Sequence, residues 1–237
     1  MAKIKITCDS TCDLTRELYE DNNVEVISLG VSLGDDFRRD GMDVTAQELF
    51  AFVKESGELP KTSAVSIGEY EDIFHKYVDQ GYQVIHISLS SELSASYQNA
   101  CLAAQAVGNV YVVDSRNLSS GSGHLVLLAA EMAKAGMDAE EIVQNLNDKK
   151  ELLDVSFVIQ TLEYLHKGGR CSGLAAYGAN VLKLRPEIQV VNGKMVVGKK
   201  YRGETERSIL AYVRGRLEGV GPVNDKRIFV THSGVPR

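Results

Sequence analysis

Three short stretches of this 237-residue chain collect hydroxyls: Asp9-Ser10-Thr11, Thr62-Ser63, and the run Ser90-Ser91-Glu92-Leu93-Ser94. Neutral hydroxyls and free backbone amides at a helix start suit a carboxylate or a phosphate. They donate hydrogen bonds, and the helix dipole favours negative charge there. Ser, Thr and Asp are also the common helix caps and turn formers, so each stretch alone has that simpler explanation. Three such stretches at one end of a parallel sheet bring the two explanations level, because ligands of α/β folds gather at the carboxyl ends of strands.

Other motifs carry less. Ser119-Ser120-Gly121-Ser122-Gly123-His124 has the ingredients of a nucleophile loop but not the G-x-S-x-G spacing, and His124 falls on the same helix as Ser120. Gly168 and Gly173 imitate the outer glycines of a P-loop, but Leu174 and Ala175 stand where Lys and Ser/Thr are required. No nucleotide cofactor is implied. Asp9 and Asp13 are a strand end and an N-cap rather than a magnesium pair, and no metal is expected. Arg170, after Gly168-Gly169, and Arg202, in Lys199-Lys200-Tyr201-Arg202-Gly203, sit on loops where they suit an anion or a partner. The alternative is two solvated surface arginines. His86 and Tyr97 read as core residues.

The elements that must position these groups alternate β-branched runs with amphipathic stretches, which predicts an α/β protein with a largely parallel sheet flanked by helices. Strands are expected at 4–8, 24–33, 84–89, 110–113, 156–160 and 227–231. Helices are expected at 14–22, 45–55, 68–80, from the Ser90 run to 106, and at 121–135, 138–149, 162–166 and 204–218. Residues 35–43 read as a charged loop, residues 60–63 as a break, and residues 167–170 as a flexible basic loop. Asn192-Gly193 between two apolar runs is a strong hairpin signal. The character changes near residue 152, giving an N-terminal α/β domain, 1–152, and a second, smaller one, 153–237. The chain stops just after a predicted strand, where an α/β unit normally adds a helix, so C-terminal material is expected to be missing.

Composition narrows the function. The 44% hydrophobic content supports a real core, and a net charge of −6 argues against a general nucleic-acid binder or a polybasic membrane-surface protein. No signal-peptide or transmembrane run is present in the sequence, and the cytosol is the expected compartment. Four cysteines without a CxxC pair read as reduced, mostly buried thiols.

Taken together, the motifs resemble those of DegV-family proteins. The resemblance runs through Asp9-Ser10-Thr11-x-Asp13-Leu14, Pro60-Lys61-Thr62-Ser63, Leu89-Ser90-Ser91-x-Leu93-Ser94-x-Ser96-Tyr97 and Val113-Asp114-Ser115. It continues in Tyr164-Leu165-x-Lys167-Gly168-Gly169-Arg170 and Asn192-Gly193-Lys194, in the same order over nearly the whole chain. It implies a two-domain protein that encloses a long-chain fatty acid between its domains and is not itself an enzyme. It further implies a partner, the ATP-binding subunit of a fatty acid kinase, which phosphorylates the carboxylate to an acyl-phosphate for phospholipid metabolism. By the same resemblance Thr62 and Ser94 hydrogen-bond the carboxylate and Ser63 supports Thr62. Arg170 and Arg202 lie near the exit, where the kinase or phosphate arrives.

The chain departs from the family pattern at Ala64-Val65, where Gln-Pro is usual, and at Ala95, which replaces a glycine. The family's C-terminal histidine and glycine-rich segment is absent, and His232 is not its counterpart. The competing reading is a serine-dependent hydrolase or acyltransferase acting on a lipid ester through Ser94 or Ser120. A DNA-binding regulator is disfavoured by the acidic charge.

Overall fold

The computed structural model describes residues 3–159, 162–172, 184–218, 221 and 223–233. Contacts divide the chain into two units, Met1–Leu153 with Thr231–Arg237, and Asp154–Val230.

The first unit opens with β1 (Lys3–Asp9), a single 3-10 turn (Ser10–Cys12) and α1 (Arg16–Asp21), followed by β2 (Val24–Ile27), β3 (Gly30–Leu33) and β4 (Asp36–Arg39). Next come α2 (Ala46–Ser56), β5 (Lys61–Ser63), α3 (Ile67–Val78), β6 (Tyr82–Ser88) and α4 (Ser96–Val107). The unit continues with β7 (Val110–Asp114), α5 (Ser119–Lys134) and α6 (Ala139–Lys150). The main sheet has the order β2-β1-β6-β7, all parallel. Its central strands are buried along most of their length, as a sheet covered on both faces requires. Helix α3 packs with α4, and α5 with α6, and both pairs contact the sheet. Ile27, Leu29, Val65, Tyr70, Phe74, Val84, Leu89, Ala100 and Ala103 form one buried cluster.

Local signals set the helix starts. Thr45 with Glu48, and Ser66 with Glu69, are complete capping boxes at α2 and α3. Gly136, at φ +84°, separates α5 from α6 as the sequence suggests.

Where the expected strand at 24–33 should run straight, the chain turns at Ser28-Leu29 and divides between two sheets. The backbone N–H of Leu29 donates to Ser10 Oγ at 3.2 Å, and its carbonyl accepts from Asp40 N–H at 2.9 Å, so the turn is held from both sides. The expected loop at 35–43 contains β4, which pairs with β3 through the two-residue turn Gly34-Asp35. Gly34 has φ +63°, which glycine takes without strain. The expected break at 60–63 contains β5, which closes a small antiparallel sheet, β4-β3-β5, with Thr62 opposite Val31 and Ser63 opposite Gly30.

In the second unit β8 (Ser156–Val158), α7 (Glu163–Gly168), β9 (Cys171–Ser172), β10 (Leu184–Val191), β11 (Lys194–Arg202) and α8 (Thr205–Leu217) form a sheet of order β8-β10-β11-β9 with two helices. Asn192 and Gly193 both have positive φ, +52° and +80°, the two-residue hairpin that the Asn-Gly pair predicts. Glu187, fully buried, accepts from Gln189 Nε2 at 2.6 Å, Tyr201 Oη at 3.1 Å and Arg216 Nη1 at 3.1 Å. The expected flexible loop at 167–170 is instead the last turn of α7 and its left-handed C-cap, Gly169. The expected strand at 227–231 is not formed: these residues are mostly exposed and enter no described ladder. Gln160 and the P-loop-like Gly173, Leu174 and Ala175 lie outside the described residues.

Candidate ligand-binding site

Parallel strands β1 and β6 end side by side, and Asp9, the last residue of β1, organises that end. It is fully buried. The Tyr70 hydroxyl donates to its Oδ1 at 2.6 Å, while Ser88 Oγ at 2.8 Å and the Leu89 N–H at 2.7 Å donate to its Oδ2. His86 Nε2 lies 3.3 Å from Oδ1, outside hydrogen-bond alignment, and its Nδ1 is 3.0 Å from Thr7 Oγ1. Burial pushes the Asp9 carboxyl up. The neighbouring His86 and the bonds from Tyr70 and Leu89 outweigh that and hold it below the ordinary carboxylate value. Burial and the Asp9 carboxylate drive the Tyr70 phenol in the opposite direction, far up. With its oxygens occupied by protein donors, Asp9 serves as a structural acceptor rather than a metal ligand. His86 is a packed core residue, as expected, but one that takes part in this network.

Beyond Leu89 the chain makes a tight turn, with the N–H groups of Leu93 and Ser94 donating to the Ser90 carbonyl at 2.9 and 3.2 Å. Ser91 is bound to Asp114 at the end of β7, its hydroxyl donating to Oδ2 at 2.6 Å. Ser94 is half-buried, its Oγ 2.9 Å from Ser96 Oγ and accepting from the Ser96 N–H at 3.2 Å. The N-cap of α4, Ala95, makes no side-chain cap bond. Its φ of −74° is unstrained for any L-residue, so the backbone here does not require a glycine.

Thr62 and Ser63 are exposed on β5. Successive strand residues face opposite ways, so the two hydroxyls cannot converge on one ligand atom from the same side. Ser63 has a defined place: a Cβ on Gly30, directly across the ladder, would overlap both Ser63 Oγ and the Phe37 ring. Three residues beyond Thr62, the fully buried Val65 carbonyl accepts from Asn99 Nδ2 of α4 at 2.7 Å. Thr62 and Ser94 thus sit on two arms joined by described bonds within the first unit. Asp9, Tyr70, Gly30 and Asn99 complete this framework, and the sequence reading did not single out those roles.

At the neighbouring helix α5, Gly123 allows the 3-10 turn to sit directly on the first helical turn. A Cβ there would come within 2.8 Å of the Cys12 carbonyl and 2.7 Å of Leu14 Cδ2. Asp13 faces Ser119 of α5, and burial raises its carboxyl against that hydrogen bond. Ser120 and His124 lie on α5 itself. Among the described residues Cys8, Cys12 and Cys171 are buried and Cys101 is half-buried, and no disulfide links them. The neighbouring Cys8, then burial, push the Cys12 thiol up.

Arg170 and Arg202 belong to the second unit, and both are exposed. Arg170 Nη1 donates to the Gly168 carbonyl at 2.7 Å. It immediately precedes Cys171, which pairs in parallel with Met195 near the start of β11, whereas Arg202 ends that strand. The two arginines are therefore separated by most of the length of β11, roughly 25 Å.

Comparison with known proteins decides the kinship. The profile described as an uncharacterised protein of the DegV family matches residues 3–235. The chain belongs to the DegV family. A DegV domain-containing protein of Staphylococcus aureus is 34% identical over 237 residues, covering 99% of this chain and 84% of that one. Among solved structures, a DegV family protein of Thermus thermophilus described by its fatty acid binding superposes with a TM-score of 0.83. It is 32% identical, over 92% of this chain and 79% of that one. A stearic acid-binding protein of Eubacterium ventriosum has a TM-score of 0.80 and 30% identity, over 92% and 77%. The two-domain α/β architecture is thus that of DegV proteins. No described helix is long and apolar enough to cross a membrane.

Proposed function

We propose that this DegV protein binds one long-chain fatty acid, with the carboxylate held by the hydroxyls of Thr62 and Ser94. The observation that supports the reading is that the neutral hydroxyl of Ser94, on the turn that leaves the parallel sheet, and that of Thr62, on β5, lie on segments joined by the Asn99–Val65 bond, in a chain alike in fold to fatty-acid-binding relatives. Ser63, seated over Gly30, backs the strand that carries Thr62.

The energetics fit. Each buried methylene contributes about 0.8 kcal/mol, so a long acyl chain supplies the affinity. The head group then needs only orientation by a few hydrogen bonds. Neutral donors also leave a carboxylate oxygen nucleophilic, whereas a buried arginine bridge would hold it more firmly. On this reading the fatty acid is presented in the cytoplasm to a partner ATP-dependent kinase, whose γ-phosphoryl group the carboxylate oxygen attacks, with ADP leaving. We assign Arg170 and Arg202 to contact with that partner. Their separation along β11 means that they meet it at two points, since one phosphoryl group cannot span both.

The competing reading, a serine hydrolase, needs a base within hydrogen-bond reach of the nucleophile. The Ser94 hydroxyl instead meets Ser96, and His86 is engaged with Thr7 and packed beside Asp9. That favours binding over turnover. Stearate binding measured by calorimetry, beside an activated-ester assay, separates the two: the proposal expects saturable one-to-one binding without turnover. Ester turnover abolished by Ser94→Ala would favour the hydrolase.

A further inference from the structure

The two arms that carry Thr62 and Ser94 arrive from different sheets. Thr62 lies on the small antiparallel sheet, opposite Val31, while Ser94 lies on the turn that leaves the main parallel sheet. Apolar packing brings them together: Val65, just past Thr62, shares a buried cluster with Ala100 and Ala103 of α4. Such packing is non-directional, so it holds the arms close without fixing their register. Direction enters at Asn99, whose Nδ2 donates to the Val65 carbonyl at 2.7 Å. A carbonyl can only accept, which sets the orientation of the amide. Asn99 lies one helical turn beyond Ser94's end of α4 and donates three residues beyond Thr62.

We infer that Asn99 is a positioning residue, which sets the spacing of the Thr62 and Ser94 hydroxyls through its bond to the Val65 carbonyl and so governs affinity for the carboxylate. The inference rests on the reading under Proposed function. Two-point hydrogen bonding tolerates little displacement, because each bond weakens steeply outside its narrow distance and angle range. Asn99 is not itself a member of the apolar cluster, so removing its amide takes no side chain out of that cluster. Strand β5, three residues long and exposed, then keeps its ladder to β3 but loses this directed bond to α4.

The test is a double-mutant cycle on the full chain, with stearate as the probe and calorimetry as the readout. Asn99→Leu and Thr62→Val are each expected to weaken stearate binding about tenfold. The double variant is expected to be no weaker than about tenfold, because Asn99 acts through Thr62 and the second loss has nothing left to remove. A structural role would not produce that coupling. Losses that multiply to about a hundredfold, or an Asn99→Leu protein that binds like wild type, overturn the inference. Wild type that does not bind stearate, or a Thr62→Val protein of unchanged affinity, instead overturns the reading it rests on. Should Asn99→Leu fail to fold, Asn99→Ala carries the same cycle.

Discussion

The Tyr70 hydroxyl donates to the fully buried Asp9 carboxylate at 2.6 Å, and this bond ties helix α3 to the end of strand β1. Helix α3 begins just after Thr62-Ser63, and the other Asp9 oxygen holds Ser88 and Leu89 at the start of the serine turn. One buried carboxylate therefore braces both segments that carry the proposed ligand hydroxyls.

Tyr70→Phe removes a hydrogen bond to a buried charge and little volume. Loss of such a bond costs about 2 kcal/mol, so a clear drop in unfolding free energy is expected in denaturant titrations. An unchanged midpoint would mean that the bond contributes nothing to the brace.

Asp9→Asn tests the same brace through pH. Because the folded Asp9 carboxyl is held below its ordinary value, its stabilising contribution is present above about pH 4. It is lost as pH falls further, through the folded value. Wild type should exceed Asp9→Asn by about 3 kcal/mol at neutral pH. The gap should stay level down to about pH 4 and narrow below it. A gap that closes already between pH 7 and 5 would contradict a depressed Asp9.

Gly123→Ala should be costly for a small change. The added methyl meets the Cys12 carbonyl, which is backbone and cannot swing aside. Overpacking of this kind costs about 1–3 kcal/mol. Gly68→Ala on α3, where a Cβ meets nothing within 4 Å, is the matched control and should be neutral or stabilising. Equal melting temperatures for the two variants would refute the close packing of the 3-10 turn on α5.

If the protein presents its fatty acid to a kinase as proposed, Arg170→Ala and Arg202→Ala should each spare stearate binding and slow phosphorylation by that proposed partner. Release of the lipid by either variant would place that arginine in the pocket instead of on the docking face.

Much of this architecture is legible in sequence because periodicity and caps report it directly. The buried apolar runs of β1 and β6, the Thr45 and Ser66 capping boxes and the Asn192-Gly193 turn are local signals, and the structure follows them. The misread segments depend on partners distant in sequence. The polar residues of β4 and β5 become strands because β3 offers its two edges, and residues 24–33 divide because Ser10 and Asp40 hold Leu29. The Gly34-Asp35 pair was a hairpin signal within reach. Thr62 and Ser94 stand out as members of hydroxyl-rich stretches and by family resemblance. Asn99 and Tyr70 do not, since a half-buried Asn and a buried Tyr on helices look ordinary until their partners, 34 and 61 residues away, are known.

The central claim is that Thr62 and Ser94 hold a fatty-acid carboxylate, and native mass spectrometry of the protein incubated with stearate tests it most directly. The account predicts one stearate per chain for wild type, retained at collision energies that strip it from Thr62→Val and from Ser94→Ala. A wild-type protein that stays at its bare mass, or variants that hold stearate as firmly as wild type, would contradict it.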